Sequence, residues 1–230
     1  MKHVSIAIDG PAGAGKSTVA KITAERLGFQ YIDTGAMYRA YTLKVLNNGI
    51  DPTDERMVLT LLESTNIDFR DNRIILDGAA VDDEIREGRI TRNVSYIASY
   101  KAVREKMVSL QQEMSKRKSV VMDGRDITTV VLPFADFKFF VTATAEERGR
   151  RRYLELLENG VEGITLEDTI ADIKRRDTFD STREESPLTR TDDSYLVDTT
   201  HMTIEEAVEH IISIVRNSKI MADESENQLE

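Results

Sequence analysis

The chain has 230 residues, 40% of them hydrophobic and 31% charged, which is enough apolar material for one substantial core with a small appended subdomain at most. A formal net charge of -10 argues against a general nucleic-acid binder, which draws most of its affinity from basic surface, and the lack of cysteine excludes disulfides, thiolate metal sites and thiol nucleophiles. No apolar run approaches the ~18 residues that span a bilayer, so a soluble protein with an intracellular address is expected.

The first apolar stretch, His3 to Ile8, reads as a β-strand that runs straight into a glycine loop. Lys16 to Leu27 reads as a helix, Phe29 to Ile32 as a strand and Ala36 to Leu46 as a helix. This alternation indicates an α/β domain with a mainly parallel sheet. The rhythm then breaks. Asn66 to Phe69, Arg73 to Leu76 and Ala79 to Val81 are short extended segments separated by Arg70-Asp71-Asn72 and Asp77-Gly78, which predicts a small antiparallel insert with limits near residues 63 and 92. Helical periodicity returns from Val103 to Lys116, followed by strands at Ser119 to Met122 and Asp136 to Val141. Thr144 with Glu147, Thr165 with Asp168, and Thr203 with Glu206 each put a hydroxyl three residues before a carboxylate and so mark three helix starts. The spacing of the first two fits a capping box or its aspartate variant. Tyr195 to Val197 makes a final strand. Residues 1–230 read as a single domain, since neither an internal repeat nor a Pro/Ser-rich linker divides them. Met221 to Glu230, with four acids and no base, is expected to be a disordered solvated end.

Gly10-Pro11-Ala12-Gly13-Ala14-Gly15-Lys16-Ser17 satisfies the G-x-x-x-x-G-K-[ST] pattern and lies after an apolar strand and before a helix, as a phosphate cradle requires. The glycines let successive N–H groups converge on one anion, and the helix start adds positive dipole character. Lys16 would reach the β/γ-phosphates of a nucleoside triphosphate and Ser17 would offer its hydroxyl to Mg²⁺, with Thr18 as the alternative. Asp9, before the loop, and Asp123, after the strand Ser119 to Met122, are candidates for the metal or its waters. A purely structural hydrogen-bonding role fits either aspartate as well.

This loop leaves GTPases, motor ATPases and kinases open, so the acceptor must be read elsewhere. Asp33-Thr34-Gly35-Ala36-Met37-Tyr38-Arg39 starts a helix, with Thr34 near its N-terminus and Arg39 about a turn further on, where a phosphate would meet backbone donors and a guanidinium; a threonine cap with a solvated arginine is the plain alternative. Asp123-Gly124-Arg125-Asp126 ends a strand, so Arg125 can fork onto a phosphate while Asp126 accepts from a base amino group, unless the two form an ordinary turn pair. Arg148, Arg150, Arg151, Arg152, Arg175, Arg176 and Arg183 are concentrated in an acidic chain. They suit either closure over a transferring phosphoryl group or an ion-paired helix face with Glu146, Glu147 and Glu155. Ser95, Tyr96 and Arg104 flank the start of a helix and are further pocket candidates.

Together these segments, with Arg176-Asp177, Pro187-Leu188 and Val197-Asp198-Thr199, resemble the bacterial cytidylate kinase family over about residues 3 to 215. The resemblance implies a three-layer α/β P-loop kinase fold with a five-stranded parallel sheet, a helical lid near 148–160, and an acceptor-binding arm at about 34–100 that carries the β insert at 63–92. It implies ATP as donor, Mg²⁺, and CMP and dCMP as acceptors in pyrimidine nucleotide metabolism. Lys16, Arg125, Arg152 and Arg176 would be catalytic, and Gly10, Pro11, Ala12, Gly13, Ala14, Gly15, Lys16, Ser17 and Thr18 would hold the donor. Thr34, Tyr38, Arg39 and Arg125 would serve the acceptor and its phosphate, while Ser95, Arg104 and Asp126 would read cytosine. Arg176, Asp180 and Arg183 would lie near sugar and phosphate, and Ser17 and Asp123 at the metal. A cytoplasmic monomer without nucleic-acid or membrane partners is expected. Two departures stand out: threonine at 34 replaces the serine of some members but keeps the hydroxyl, and Thr128 stands where the family often has glycine, which matters if the loop beside Asp126 needs a glycine conformation. A P-loop kinase for another small acceptor, such as shikimate, and a slow nucleotide-dependent switch are the rival readings.

Overall fold

The central strand, β1 (Ser5–Asp9), is buried along almost its whole length, as expected of a strand covered on both faces. The computed structural model that places it describes residues 3–70 and 72–218, so the acidic stretch from Met221 to Glu230 lies outside the described residues. The chain divides into two compact units, one comprising the described residues up to Tyr31 together with those from Ser119 onward, the other Ile32–Lys118. No helix among the described residues is long and apolar enough to cross a membrane.

In the first unit β1 leads through the phosphate loop into α1 (Lys16–Leu27), and the chain passes into the second unit along β2 (Gln30–Asp33). After the second unit the chain returns with β6 (Val120–Gly124), β7 (Phe137–Thr142), α6 (Ala145–Glu158), α7 (Leu166–Thr182), β8 (Tyr195–Asp198) and α8 (Ile204–Arg216). The strands form a five-stranded sheet in the order β2-β6-β1-β7-β8. The parallel register sets Ile8 beside Asp123 and Asp9 beside Gly124, which brings the ends of β1 and β6 together where ligands bind in open α/β sheets. Ile6, Ile8, Phe139, Val141 and Val197 pack with Val19 and Ala20 of α1 and with Val208, Ile211 and Val215 of α8, forming the principal core. Burying each such aliphatic side chain is worth roughly 1.5–3 kcal/mol before ordering costs.

All three threonine starts are helix caps, but the full capping box forms at Thr203, where Glu206 returns a bond to the cap backbone. At Thr144 the hydroxyl accepts from Glu147 N, while the Glu147 carboxylate engages Arg150 and Arg151 instead. At Thr165 the aspartate is one methylene shorter and bonds the threonine hydroxyl.

The second unit contains α2 (Thr34–Asn47), α3 (Glu55–Thr60), a three-stranded antiparallel sheet of β3 (Ile67–Arg70), β4 (Arg73–Leu76) and β5 (Ala79–Ala80), then α4 (Gly88–Ser99) and α5 (Lys101–Ser115). Asp77 and Gly78 both have positive φ, 50° and 92°, giving the tight turn that an Asp-Gly pair favours between β4 and β5. Lys44 ties this sheet to α2 by donating to Asp77 at 2.8 Å and to the Ser64 carbonyl at 2.8 Å. Three expectations change. Asp33, not Thr34, is the N-cap of α2 and accepts from Ala36 N at 2.9 Å, so the helix starts two residues early. Helices α3 and α4 were not expected. The second of these places Ser95 within a helix instead of at a helix start.

Candidate active site

The glycines of the phosphate loop each answer a demand of its backbone. Gly10 is obligatory because a Cβ there would lie 1.9 Å from the Val141 carbonyl oxygen. Gly13 and Gly15 have φ of 75° and 81°, a left-handed conformation that costs glycine little. Gly15 is the N-cap of α1, and no side chain caps the first amides of that helix. Two loop carbonyls are held from outside: Arg148 Nη1 donates to Ala12 O at 2.9 Å and the Thr199 hydroxyl donates to Ala14 O at 3.2 Å. In a trans peptide the following N–H points the opposite way, so these ties aim the Gly13 and Gly15 amides into the loop. Lys16 is buried and its Nζ donates to Pro11 O at 3.3 Å.

Beside the loop, the Ser17 hydroxyl donates to Asp123 Oδ2 at 2.6 Å and the Tyr31 hydroxyl donates to Asp123 Oδ1 at 2.8 Å. A serine hydroxyl against a buried carboxylate, next to a phosphate-binding loop, is an oxygen donor set suited to a hard cation such as Mg²⁺. Asp9, the other candidate, is fully buried and accepts from Ile127 N, Thr128 N and the Thr128 hydroxyl at 2.9, 2.8 and 2.6 Å. Burial pushes its carboxyl above the ordinary aspartate value against the pull of those three donors. It is a structural acceptor. Thr128 does not need a glycine conformation: the non-glycine residues with positive φ among those described are Asn72, Asp77 and Ser186.

The arginines divide sharply. Arg148 is buried and forks onto Asp177 (Nη1–Oδ1 2.9 Å, Nη2–Oδ2 2.6 Å) while its Nε donates to Ala143 O at 2.8 Å. This places it as a tie between α6, α7 and the phosphate loop. Gly149 permits it, because a Cβ there would come within 2.4 Å of Ile170 on α7. Arg151 donates to the Thr199 hydroxyl at 3.0 Å and to the Thr199 carbonyl at 2.6 Å, and with Arg150 it holds the Glu147 carboxyl down to about 2. Arg152 pairs with Glu155 at 2.6 Å on the surface of α6, and Arg175 pairs with Asp172 at 2.8 Å. Arg125 Nε donates to Asp180 Oδ2 at 2.7 Å, joining the end of β6 to α7. Arg183 donates to the Ser186 carbonyl, and Arg176 lies on α7 one residue before Asp177. Asp126 is buried at the start of a single π-type turn, Ile127–Val131.

In the second unit Thr34 and Tyr38 are buried on α2, and Arg39 is half-buried. Arg104 is buried on α5, donates from Nη1 to Ala98 O at 3.1 Å, and holds its guanidinium carbon 5.8 Å from the centre of the Tyr38 ring. Ser95 is exposed on α4. Sequence reasoning missed the supporting roles of Tyr31, Asp177 and Thr199. The last two belong to segments that carry the family resemblance, but nothing in their spacing pointed to the loop carbonyls.

A family model described as cytidylate kinase matches residues 6–217. Among similar curated proteins, a cytidylate kinase of Clostridioides difficile is 52% identical over 213 residues, covering 93% of this chain and 98% of its own length. One from Alkaliphilus oremlandii is 50% identical over 216 residues, covering 94% and 99%. Among solved structures, an uncharacterised protein from Eubacterium ventriosum aligns with a TM-score of 0.52 at 13% identity, covering 94% of this chain and 100% of that one. A gluconokinase from Sinorhizobium meliloti aligns with a TM-score of 0.50 at 14% identity, covering 96% and 97%. At such identities the structures speak for the fold alone.

Proposed function

The chain belongs to the cytidylate kinase family and is an ATP-dependent kinase of CMP, and from that premise we propose how its residues divide the work and that dCMP is a second acceptor. A CMP phosphate oxygen attacks the γ-phosphorus of ATP, the bond from that phosphorus to the bridging oxygen breaks, and ADP and CDP result. No covalent enzyme intermediate is needed, because position and charge supply the catalysis.

Residues 10–18 cradle the donor phosphates, with Lys16 on the β/γ-phosphates. Ser17 and Asp123 hold Mg²⁺, which supplies neutralising charge to the phosphate oxygens when bound. Thr34, Tyr38, Arg39 and Arg125 take the acceptor and its phosphate. Ser95, Arg104 and Asp126 read cytosine, whose amino donor and carbonyl acceptor call for complementary partners. Arg176, Asp180 and Arg183 serve the sugar and phosphate side, and Arg152 closes with the lid near 148–160. Ile32–Lys118 supplies the acceptor-binding arm. The protein works as a cytoplasmic monomer on small nucleotides, without a nucleic-acid or membrane partner.

The observation that carries phosphoryl transfer is the 2.6 Å bond from Ser17 to Asp123 beside the loop. Initial rates in a coupled assay with ATP, Mg²⁺ and a panel of AMP, GMP, UMP, CMP, dCMP and shikimate test the reading. CMP and dCMP should lead; equal turnover of AMP, UMP and CMP would refute the acceptor assignment.

A further inference from the structure

The turn Ile127–Val131 begins with amides that have no partner inside it, and such amides are ordinarily met by the side chain at the N-cap position. Asp126 holds that position and aspartate is among the strongest capping residues, yet its side chain makes no capping bond to the turn. The cap comes from another strand. Asp9, set beside Gly124 by the pairing of β1 with β6, accepts from Ile127 N at 2.9 Å and from Thr128 N at 2.8 Å. The Thr128 hydroxyl adds a third bond at 2.6 Å to the same carboxylate. Thr128 is 1% exposed and Asp9 0%, so water does not compete for these bonds. A glycine at 128 would supply the amide but not the hydroxyl. Asp9 also adjoins Gly10, so one strand end both launches the phosphate loop and fixes the segment that bears Arg125 and Asp126.

We propose that Asp9 and Thr128 are a positioning pair: by capping the turn in place of Asp126, they keep the Asp126 carboxylate out of the capping role and so set the preference for an acceptor base carrying an exocyclic amino group. The proposal rests on the reading of Asp126 given above. Its signature is a loss of discrimination between CMP and UMP. These acceptors differ at that group, an amino donor in one and a carbonyl acceptor in the other.

The experiment compares Thr128→Val, Thr128→Ala and Thr128→Ser in the full chain, measuring kcat and KM for CMP and UMP at saturating ATP, KM for ATP, and the melting temperature. Removing the hydroxyl should raise KM for CMP on the order of tenfold, from the strength of a hydrogen bond to a charged group. The CMP to UMP ratio of kcat/KM should fall by about the same factor with KM for ATP unchanged. Serine should restore both. If either valine or alanine lowers CMP and UMP efficiency in equal proportion, or leaves the ratio at the wild-type value, the proposal is overturned while the reading of Asp126 stands. A wild-type enzyme without preference for CMP over UMP would remove that reading and the proposal with it.

Discussion

Replacing Arg148 with methionine keeps most of the length of the side chain and removes all five of its N–H donors. The Arg148 side chain is 6% exposed, and four bonds run from its guanidinium to Asp177, Ala143 O and Ala12 O at 2.6–2.9 Å. Removing one partner of a buried pair costs about 3–5 kcal/mol, and because the Asp177 side chain is 28% exposed and can recover some hydration, we expect about 3 kcal/mol. In a chain of this size each kcal/mol shifts the melting midpoint by roughly 2–4 °C, which predicts a drop of about 6–12 °C. The Ala12 carbonyl loses its outside tie, so ATP affinity should fall on the order of tenfold as the loop amides lose their aim. Thermal unfolding and equilibrium ATP binding measure the two effects. An unchanged melting temperature together with lost turnover would refute the reasoning, and would return Arg148 to the group of arginines that close over the transferring phosphoryl.

Asp123→Asn keeps shape but removes the charge beside Ser17; kcat should fall at least about a hundredfold, and the Mg²⁺ concentration for half-maximal rate should rise, as titration of the metal in the assay would reveal. Glu147→Gln tests the Arg150 and Arg151 pairing. The folded-state carboxyl is depressed from 4.5 to about 2, so its contribution to stability is present above pH 4.5 and is lost as pH falls through about 2. Melting curves should show the variant less stable than wild type at pH 7, converging as the pH drops across that window. Persistence of the full gap at pH 2 would contradict the assignment.

Much of this was legible because local chemistry and tertiary structure agree. The strand before Gly10 and the helix after Lys16 are where the motif requires them, Asp77-Gly78 forms the tight turn, and each threonine start is a cap. What escaped was decided by distance in sequence. Helix α4 contains Gly88, Thr91, Asn93, Val94 and Ser95, poor helix formers, and is held by burial of Ile90 and Ile97. The role of Arg148 depends on Asp177, 29 residues away on another helix. The position of Asp9 before the loop suits a metal role and a structural one equally; only the register with β6 reveals that its oxygens are taken by Ile127 and Thr128. The sequence leaves the arginine cluster open between closure over a phosphoryl group and an ion-paired helix face, whereas the structure makes Arg148 and Arg151 supports of the loop and pairs Arg152 with Glu155 on the surface.

The most direct test follows the phosphorus atoms. Phosphorus NMR of ATP, CMP and Mg²⁺ with the wild-type protein should show CDP and ADP growing together as the γ-phosphate signal declines, and Lys16→Ala should slow this by orders of magnitude. Release of inorganic phosphate without CDP, or an undiminished rate in Lys16→Ala, would contradict the account.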